Sequence, residues 1–352
     1  MSHRLLRWIL VLVTGVIVVG GGGCGNAPAT NSGPANTPTA ARGANNAGTA
    51  TVQPSASPTA SLTPSTTPAP PGKTVFLIMM ENHNWSDIKG SPSAPYINTT
   101  LLPVASHAEQ DYNPPGIHPS EPNYLWLEAG TNFGITNDAD PAANHQSTKL
   151  HLVTLLANAH ITWKSYQEDI SGTACPLTST GAYAPKHNPM VFFDDVTNTN
   201  DPHSASCIAH VRPYSELGID LQKNTVARYN FITPNLCDDM HDTCAPLNDA
   251  VKQGDSWLAQ NLPAILNSQA YKNGGIVFIT WDEGEGGDGP IGLIVLSPDA
   301  KGGGYSNTIH YTHSSLLRTL QEVFGVSPLL GDAAHATDLS DLFKTFPFEM
   351  QG

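Results

Sequence analysis

Apolar runs recur along most of the chain and are separated by amphipathic segments. The runs cover residues 74–80, 161–166, 229–233, 275–281 and 291–296. The first run is continuously apolar rather than alternating, which is typical of a central strand covered on both faces. The sequence therefore predicts a series of buried strands at these positions.

Two of the intervening segments have the spacing of amphipathic helices. In residues 255–270 one helical face carries Trp257, Leu258, Leu262, Ile265 and Leu266, and Pro263 predicts a bend. In residues 312–324 one face carries Leu316, Leu317, Leu320, Val323 and Phe324, and Gly325 follows as the predicted end. Strands that alternate with helices predict an α/β fold with a largely parallel central sheet and helices on both faces.

A further helix is predicted to begin inside the stretch 118–130. Ser120 is a good N-cap residue, Pro122 is tolerated in a first turn, and Gly130 can end the helix. A serine in that position faces the free N–H groups and the positive end of the helix, a natural seat for a phosphate. An isolated serine of this kind is usually only a cap, so its function depends on the rest of the chain.

The first 72 residues have a different character. Residues 1–23 combine Arg4 and Arg7 with an apolar run and small residues, as an export signal does. Cys24 follows as a candidate for lipidation, although Gly21 stands where a leucine-like residue is usual. Residues 24–72 are rich in Ala, Thr, Pro, Ser and Asn and predict a disordered tether. We therefore expect an exported or surface-tethered protein whose single folded domain occupies residues 73–352.

Charge excludes one class of partner. All 30 acidic residues lie in the folded domain, together with all but three of the 16 basic residues. So acidic a domain is a poor candidate for nucleic-acid binding. Clustered carboxylates in an enzyme more often indicate metal ligands or a solvated acidic surface.

Four cysteines lie in the folded domain, and an even number in an exported protein suggests disulfides. The three possible pairings include Cys175–Cys207 with Cys237–Cys244, which we favour because each bridge closes a loop that is local in sequence. A four-cysteine zinc site is the alternative, but the spacings contain no C-x-x-C knuckle.

Polar clusters follow three of the predicted strands at their C-terminal ends. Glu81 and Asn82 follow the first strand, residues 235–242 follow the strand at 229–233, and Asp282 and Glu283 follow the strand at 275–281. In open α/β sheets, ligands bind beyond the carboxyl ends of the strands. Each cluster alone has an ordinary explanation as a turn or helix cap, but three at one edge predict a functional site.

Several motifs occur in a characteristic order. They are Met80-Glu81-Asn82-His83, His118-Pro119-Ser120 with Pro122-Asn123-Tyr124, Lys186-His187-Asn188-Pro189, Pro234-Asn235 with Asp239-Met240-His241-Asp242, Thr280-Trp281-Asp282-Glu283-Gly284 and His313-Ser314-Ser315-Leu316-Leu317. Together they resemble the bacterial phosphoesterase family of secreted acid phosphatases and non-haemolytic phospholipases C, which belongs to the alkaline-phosphatase-like superfamily. The resemblance extends over residues 75–342.

The resemblance implies a phosphoester-cleaving site with Ser120 as the nucleophile. Its implied ligands for one divalent metal ion are Glu81, Asn82, Ser120, Asp282 and Glu283. Such oxygen ligands leave Ca, Mn, Mg and Zn open. Asn123 lies three residues after Ser120 on the same helical face and is expected to donate to a phosphoryl oxygen. The candidates for the general acid and for phosphate contacts are His118, His187, His241 and His313.

A second metal site, built from Asp238 or Asp239 with His241 and His313, is the alternative to one metal. The predicted function is a metal-dependent phosphomonoesterase that forms a phosphoserine intermediate on a small phosphate ester. A phospholipase C that cleaves phospholipid headgroups with the same site is the main alternative; the chain continues only briefly after residues 338–346, which favours the phosphatase. A non-catalytic surface lipoprotein that binds phosphate or a sugar is the alternative of a different class. The pattern indicates neither the natural substrate nor the oligomeric state.

Overall fold

The structure is a computed structural model that describes residues 72–346. The predicted export signal, Cys24 and residues 24–71 of the predicted tether lie outside the described residues, as do the last six residues. Within the described part, no helix is long and apolar enough to cross a lipid bilayer. The described residues thus cover the expected folded domain from its first residue to Phe346.

The described part of the chain contains ten strands. They are β1 (Val75–Met80), β2 (Ser106–Ala108), β3 (Asp111–Tyr112), β4 (Trp163–Gln167), β5 (Val211–Pro213), β6 (Tyr229–Thr233), β7 (Ile276–Trp281), β8 (Leu293–Leu296), β9 (Tyr305–Asn307) and β10 (Tyr311–Thr312). All five predicted strands are present, with ends that differ from the predicted ones by two residues or fewer. β3 and β10 form a separate two-stranded sheet.

Ten α-helices lie among the same residues. They are α1 (Trp85–Ile88), α2 (Ser120–Ala129), α3 (Pro141–Asn144), α4 (Leu152–Asn158), α5 (Asp194–Thr197), α6 (Ala205–His210), α7 (Ser215–Lys223), α8 (Ala250–Leu266), α9 (Gln269–Lys272) and α10 (His313–Phe324). Short 3₁₀ turns cover Pro185–His187, Pro189–Phe192, Gly331–Ala334 and Ser340–Leu342, and a π-helical turn covers Ile97–Leu101.

The main sheet has the strand order β5-β4-β6-β1-β7-β8-β2-β9. β1 lies between β6 and β7 and is parallel to both, with Val75 opposite Tyr229 and Ile276. Only β8 runs against its neighbours β7 and β2. The connection 282–292 is too short for the crossover that a parallel pair requires, so β8 returns antiparallel. The expected α/β fold with a largely parallel sheet is confirmed.

The sheet separates two hydrophobic cores. Val75, Leu77 and Met79 of β1 belong to one core, and the alternate residues Phe76, Ile78 and Met80 belong to the other. The first core also contains apolar residues of α2 and α10, and the second contains those of α8. Since successive residues of a strand point to opposite faces, helices cover both sides of the sheet.

The two predicted helices are present with shifted ends. α8 begins before the predicted position because the side chain of Asp249 accepts a hydrogen bond from Lys252 N and caps the helix. It ends at Leu266, and Ser268 then caps the separate helix α9. α10 ends as predicted, with Gly325 at a φ of 66°, a left-handed conformation that glycine adopts easily.

Both favoured disulfides are present. Cys175 and Cys207 have Cα atoms 5.4 Å apart, and Cys237 and Cys244 have Cα atoms 5.7 Å apart. The second bridge closes a short loop directly after β6, at the edge of the sheet where the polar clusters lie. The alternative of a four-cysteine zinc site is therefore wrong.

Candidate active site

Ser120 is the first residue of α2, and its N-cap is Pro119. The expectation that Ser120 itself caps the helix is wrong. Its Oγ does not accept from the helix N–H groups but donates to Glu81 Oε2 at 3.0 Å, and the side chain is buried. The backbone thus begins the helix one residue early, which turns the hydroxyl towards the end of β1 instead of towards the helix axis.

Side-chain oxygen atoms of Glu81, Asn82 and Asp282 lie together with Ser120 Oγ where β1, α2 and β7 meet. Asn82 lies just beyond β1 with a φ of 33°, and its N–H donates to Asp282 Oδ1 at 3.0 Å. This bond ties the end of β1 to the end of β7. Ser120 Oγ lies 3.0 Å from Glu81 Oε2 and 3.5 Å from Asn82 Oδ1. Left-handed backbone in a residue other than glycine is costly and is often kept where function requires it.

The side-chain amide of Asn82 is oriented with its oxygen towards two carboxylates. The position of this amide oxygen is 2.8 Å from Glu81 Oε2 and 3.1 Å from Asp282 Oδ1. Two arrangements relieve the repulsion between these oxygens. Either the amide turns and its nitrogen donates to both carboxylates, or a cation lies among the oxygens. The donor set of carboxylate, amide and hydroxyl oxygens fits a hard divalent cation.

Burial makes this carboxylate cluster electrostatically costly. Glu81 and Asp282 are fully buried. Burial raises the pKa of Glu81 to about 8, although hydrogen bonds from Tyr124 and Ser120 and the charge of Lys186 act against it. Burial, followed by the charges of Glu81 and Glu283, raises the pKa of Asp282 well above its usual range. A bound cation would remove the need for these groups to hold protons.

Glu283 lies next to this cluster, and its described contacts are to other side chains. Its Oε2 contacts His118 Nδ1 and accepts from Asn123 Nδ2 at 3.1 Å. Asn123 Nδ2 also donates to the carbonyl oxygens of Ile117 and Pro119. The amide of Asn123 therefore orients Glu283 here, and its expected contact with a phosphoryl oxygen stays a prediction.

His118 is held between two carboxylates at the mouth of the site. Its Nδ1 contacts Glu283 Oε2, and its Nε2 lies 2.9 Å from Asp288 Oδ1. Burial opposes a charge on this ring, but Asp288 and Glu283 outweigh that effect and raise the pKa of His118. With 38% of its side chain exposed, His118 can exchange protons with solvent.

Two further histidines, His187 and His241, lie near Glu81. His187 is buried, with Nε2 at 3.3 Å from Glu81 Oε2 and Nδ1 at 3.2 Å from Asp239 Oδ2. His241 is partly exposed, and its Nδ1 lies 2.8 Å from Asp242 Oδ1. One atom from each of Glu81, His187 and His241 lies within 4.8 Å of the others, close enough to share a metal ion.

His313 belongs to the site but sits behind it. It is the first residue of α10 and is completely buried, with Nε2 at 2.5 Å from the carbonyl oxygen of Asp282. Burial lowers its pKa to about 4. A neutral, enclosed imidazole is poorly suited to donate protons to a substrate, so His313 positions the backbone at the end of β7.

Lys186 and Tyr124 are site residues that the sequence did not single out, although both lie inside the quoted motifs. Lys186 Nζ donates to Asp138 Oδ2 at 3.1 Å and lies 3.3 Å from His241 Nε2. Burial alone would lower the pKa of Lys186, but Glu81 and Asp138 raise it, so the ammonium is charged. Tyr124, four residues after Ser120 on the same face of α2, donates its hydroxyl to Glu81 Oε1. That i+4 spacing was the available signal.

Comparisons with known proteins identify the family of this chain. A model described as the phosphoesterase family matches residues 108–327. A phosphatidylinositol-3-phosphatase of Mycobacterium tuberculosis is 32% identical over 270 residues, which cover 76% of this chain and 82% of the relative. A phosphate-repressible acid phosphatase of Penicillium chrysogenum is 29% identical over 224 residues, which cover 61% of this chain and 51% of the relative.

Solved structures show the same fold at low identity. A phosphonate monoester hydrolase of Agrobacterium radiobacter has a TM-score of 0.52 with 11% identity and covers 77% of each chain. An alkaline phosphatase superfamily protein of Vibrio parahaemolyticus has a TM-score of 0.50 with 11% identity, covering 78% of this chain and 72% of that one. Two predictions are thereby confirmed: the alkaline-phosphatase-like fold, and an enzyme that hydrolyses phosphoric esters. The chain belongs to the phosphoesterase family.

Proposed function

We propose that this chain is a metal-dependent phosphomonoesterase that uses Ser120 as its nucleophile and forms a phosphoserine intermediate. The observation that carries the proposal is the placement of Ser120 Oγ, 3.0 Å from Glu81 Oε2 and beside the Asn82 amide at the carboxyl edge of the sheet. A serine hydroxyl at a buried carboxylate cluster is unusual for a structural role. It is the arrangement that a nucleophile needs when a cation shares the site.

The ligands proposed for the metal are Glu81, Asn82, Ser120 and Asp282, with Glu283 beside them. When bound, a divalent cation would supply Lewis-acid stabilisation of the phosphoryl oxygens and lower the pKa of the serine hydroxyl. The oxygen donors favour a hard cation. The pair His187 and His241 provides a nitrogen-containing alternative that shares Glu81.

Each of the protein side chains then has its own role in the reaction. The Oγ of Ser120 forms the bond to phosphorus as its proton leaves towards Glu81 Oε2, its hydrogen-bond acceptor. The bond from phosphorus to the alcohol oxygen breaks, and a histidine donates the proton that the alcohol requires. A water molecule then attacks the phosphoserine. The same histidine takes a proton from that water, the bond from phosphorus to Ser120 Oγ breaks, and Glu81 returns its proton to Oγ, which releases inorganic phosphate and restores Ser120.

The proton donor must reach both the leaving alcohol and water. His187 and His313 are buried, whereas His118 and His241 are partly exposed. His118 lies on the side of the site bounded by Asp288, and His241 lies against Lys186. We assign the proton transfer to His118, and the stabilisation of the phosphoryl charge to Lys186 with its neighbour His241.

The main alternative is a phosphodiesterase of the phospholipase C type with the same site. The relatives that match this chain favour a monoesterase, because the M. tuberculosis and P. chrysogenum proteins are named as phosphatases. A non-catalytic binding protein would not need a buried serine hydroxyl among carboxylates. Export and tethering of this enzyme are part of the proposal and rest on residues 1–72.

A substrate panel tests this proposal. The purified protein would be assayed with p-nitrophenyl phosphate, bis-p-nitrophenyl phosphate and phosphatidylcholine, first in chelator and then with Ca, Mn, Mg or Zn added back. We expect the monoester to be hydrolysed fastest and chelation to remove that activity. Faster cleavage of the diester would support the alternative, and no cleavage of any ester would refute catalysis.

A further inference from the structure

A groove of about 460 Å³ opens beside the site. Its walls are Asn84 and Ser86 on one side and the loop 285–290 on the other. Asn84 stands two residues after Asn82, and Glu285 stands two residues after Glu283. Each wall therefore continues from a proposed metal ligand at the end of β1 or β7. We call this feature the leaving-group groove.

The loop that forms one wall is also attached to the segment that carries the nucleophile. Asp288 Oδ1 lies 2.9 Å from His118 Nε2, and Asp288 Oδ2 accepts from Gly116 N at 3.0 Å. His118 is two residues before Ser120. A phosphoryl group placed at Ser120 would thus have the groove directly beside it, on the side of the proposed proton donor.

The base of the groove is closely packed around one side chain. Asn84 Nδ2 donates to the carbonyl oxygen of Glu285 at 3.0 Å. A Cβ atom added to Gly284 would come within 2.6 Å of Asn84 Oδ1, and one added to Gly289 within 2.5 Å. Both ends of the loop can approach Asn84 only because these two residues are glycines. The groove is therefore formed before a ligand arrives, which reduces the entropy lost on binding.

The lining determines which ligands fit. It contains an amide, a hydroxyl, two carboxylates and several glycines, with Pro290 as its one apolar side chain. It contains no Lys, Arg or His. Asp288 is paired with His118, whereas Glu285 is exposed and has no ion pair among the described residues. Such walls suit hydroxyl or ammonium groups and oppose a second anion or a long acyl chain.

We propose that the leaving-group groove binds the alcohol part of the ester and selects alcohols that are neutral or cationic over alcohols that carry a further anionic group. This inference rests on the proposed monoesterase function and specifies its substrate class. Glu285 supplies the discriminating charge, and Asn84 holds the wall in place.

Three probes of similar size and different charge test the inference. They are phosphoethanolamine, glycerol 3-phosphate and 3-phosphoglycerate, whose alcohol parts carry an ammonium, no charge and a carboxylate. Two unit charges about 4 Å apart in water change an equilibrium about fivefold. We therefore expect kcat/KM to fall about fivefold at each step of the series, or about 25-fold in all. The change should appear mainly in KM, because the groove binds a part of the substrate that does not react.

The matched variants are Glu285→Gln inside the groove and Asp87→Asn on the exposed face of α1 outside it. Glu285→Gln removes the charge that produces both steps, so it should bring kcat/KM of the three probes close to one another at about 0.15 M salt, where screening limits distant charges. Asp87→Asn should leave the range unchanged. Equal kcat/KM of the wild-type protein for the three probes, or an equal effect of both variants on the range, would overturn the inference.

Failure of the proposed function gives a different result. If none of the probes and no p-nitrophenyl phosphate is hydrolysed, catalysis is refuted. Calorimetric titration of the wild-type protein with the same probes then still measures the preference of the groove without turnover. Tighter binding of phosphoethanolamine than of 3-phosphoglycerate would support the inference, and equal or absent binding would refute it.

Discussion

Ser120 Oγ donates a hydrogen bond to Glu81 Oε2 across 3.0 Å, although the two residues belong to different elements. The bond joins the first turn of α2 to the end of β1 and is buried on all sides. Because α2 begins at Ser120 and not after it, the hydroxyl is released from capping and is available for chemistry. The consequences of this contact can be measured.

Replacing the proposed nucleophile, Ser120, should affect activity far more than stability. Ser120→Ala should reduce phosphatase turnover by at least about a thousandfold, because it removes the hydroxyl proposed to attack phosphorus. The free energy of unfolding should fall only by about 1 to 3 kcal/mol, because the variant loses a buried hydrogen bond to Glu81 but no N-cap. Turnover by p-nitrophenyl phosphate assay and urea denaturation measure the two quantities. Ser256→Ala, on α8, is the control, and near-normal turnover of Ser120→Ala would refute covalent catalysis.

Substituting a proposed metal ligand should affect the midpoint of thermal unfolding differently in chelator and in saturating metal. Glu81→Gln removes one of the buried charges that repel each other, so in chelator its midpoint of thermal unfolding should be equal to or higher than that of the wild type. In saturating metal it should be lower, because a cation at about 100 times its Kd adds about 2.7 kcal/mol to wild-type stability. Metal-dependent activity should be lost.

The control for that experiment is another buried carboxylate. Burial raises the pKa of Asp111 to about 8, and its Oδ2 accepts from Thr280 Oγ1, away from the proposed ligands. Asp111→Asn should retain the metal-induced shift in the unfolding midpoint. Wild-type protein that shows no such shift and stays fully active in excess chelator would refute the metal.

The proposed proton donor can be identified by how strongly the effect of its substitution depends on the leaving group of the ester. His118→Gln should slow the hydrolysis of an alkyl ester such as glycerol 3-phosphate by about a hundredfold or more, because an alkoxide leaves poorly without a proton. The same variant should affect p-nitrophenyl phosphate much less. His241→Gln should slow both esters by similar factors. If only His241→Gln discriminates between the esters, the two roles are exchanged.

The two disulfides should differ in how much they contribute to stability and to activity. By the chain-entropy relation, the Cys175–Cys207 bridge contributes about 4 kcal/mol and the shorter Cys237–Cys244 bridge about 2 kcal/mol. Removing the shorter bridge by a double serine substitution should nevertheless cost more activity, since it closes the loop that carries Asp239 and His241. Denaturation midpoints and kcat/KM of the two double variants would test this ranking, which equal losses of activity would contradict.

The buried imidazole of His151, at the N-terminus of α4, should make stability depend on pH. Burial opposes a charge on His151, but Asp195 at 2.9 Å and Glu128 at 3.1 Å outweigh it and raise the pKa of His151 above its usual 6.5. A raised pKa in the folded state contributes stability that is fully present below pH 6.5 and is lost as the pH rises through the folded value. The stability difference between wild type and His151→Gln should therefore shrink from pH 5.5 to pH 9. His203→Gln, at an exposed position, is the control, and a difference that grows with pH would contradict the assignment.

Local pattern was enough to predict much of this protein. The continuous apolar run at 74–80 predicted a central strand because a strand covered on both faces has no polar side. Glu81 and Asp282 were predicted to meet because parallel strands end at one edge, and β1 and β7 are direct neighbours. The loop-local cysteine pairs were predicted correctly, since short loops cost least to close.

Only the tertiary structure decided how the side chains face one another. The rotation of the first turn of α2 sent Ser120 to Glu81 instead of to its own helix, and no spacing in the sequence encodes that choice. Elements far apart in the chain bury His313 and lower its pKa to about 4. They also bring Lys186 against His241. Sequence periodicity fixes which residues reach an edge of the sheet. Distances, burial and protonation there depend on packing between elements, which one segment cannot specify alone.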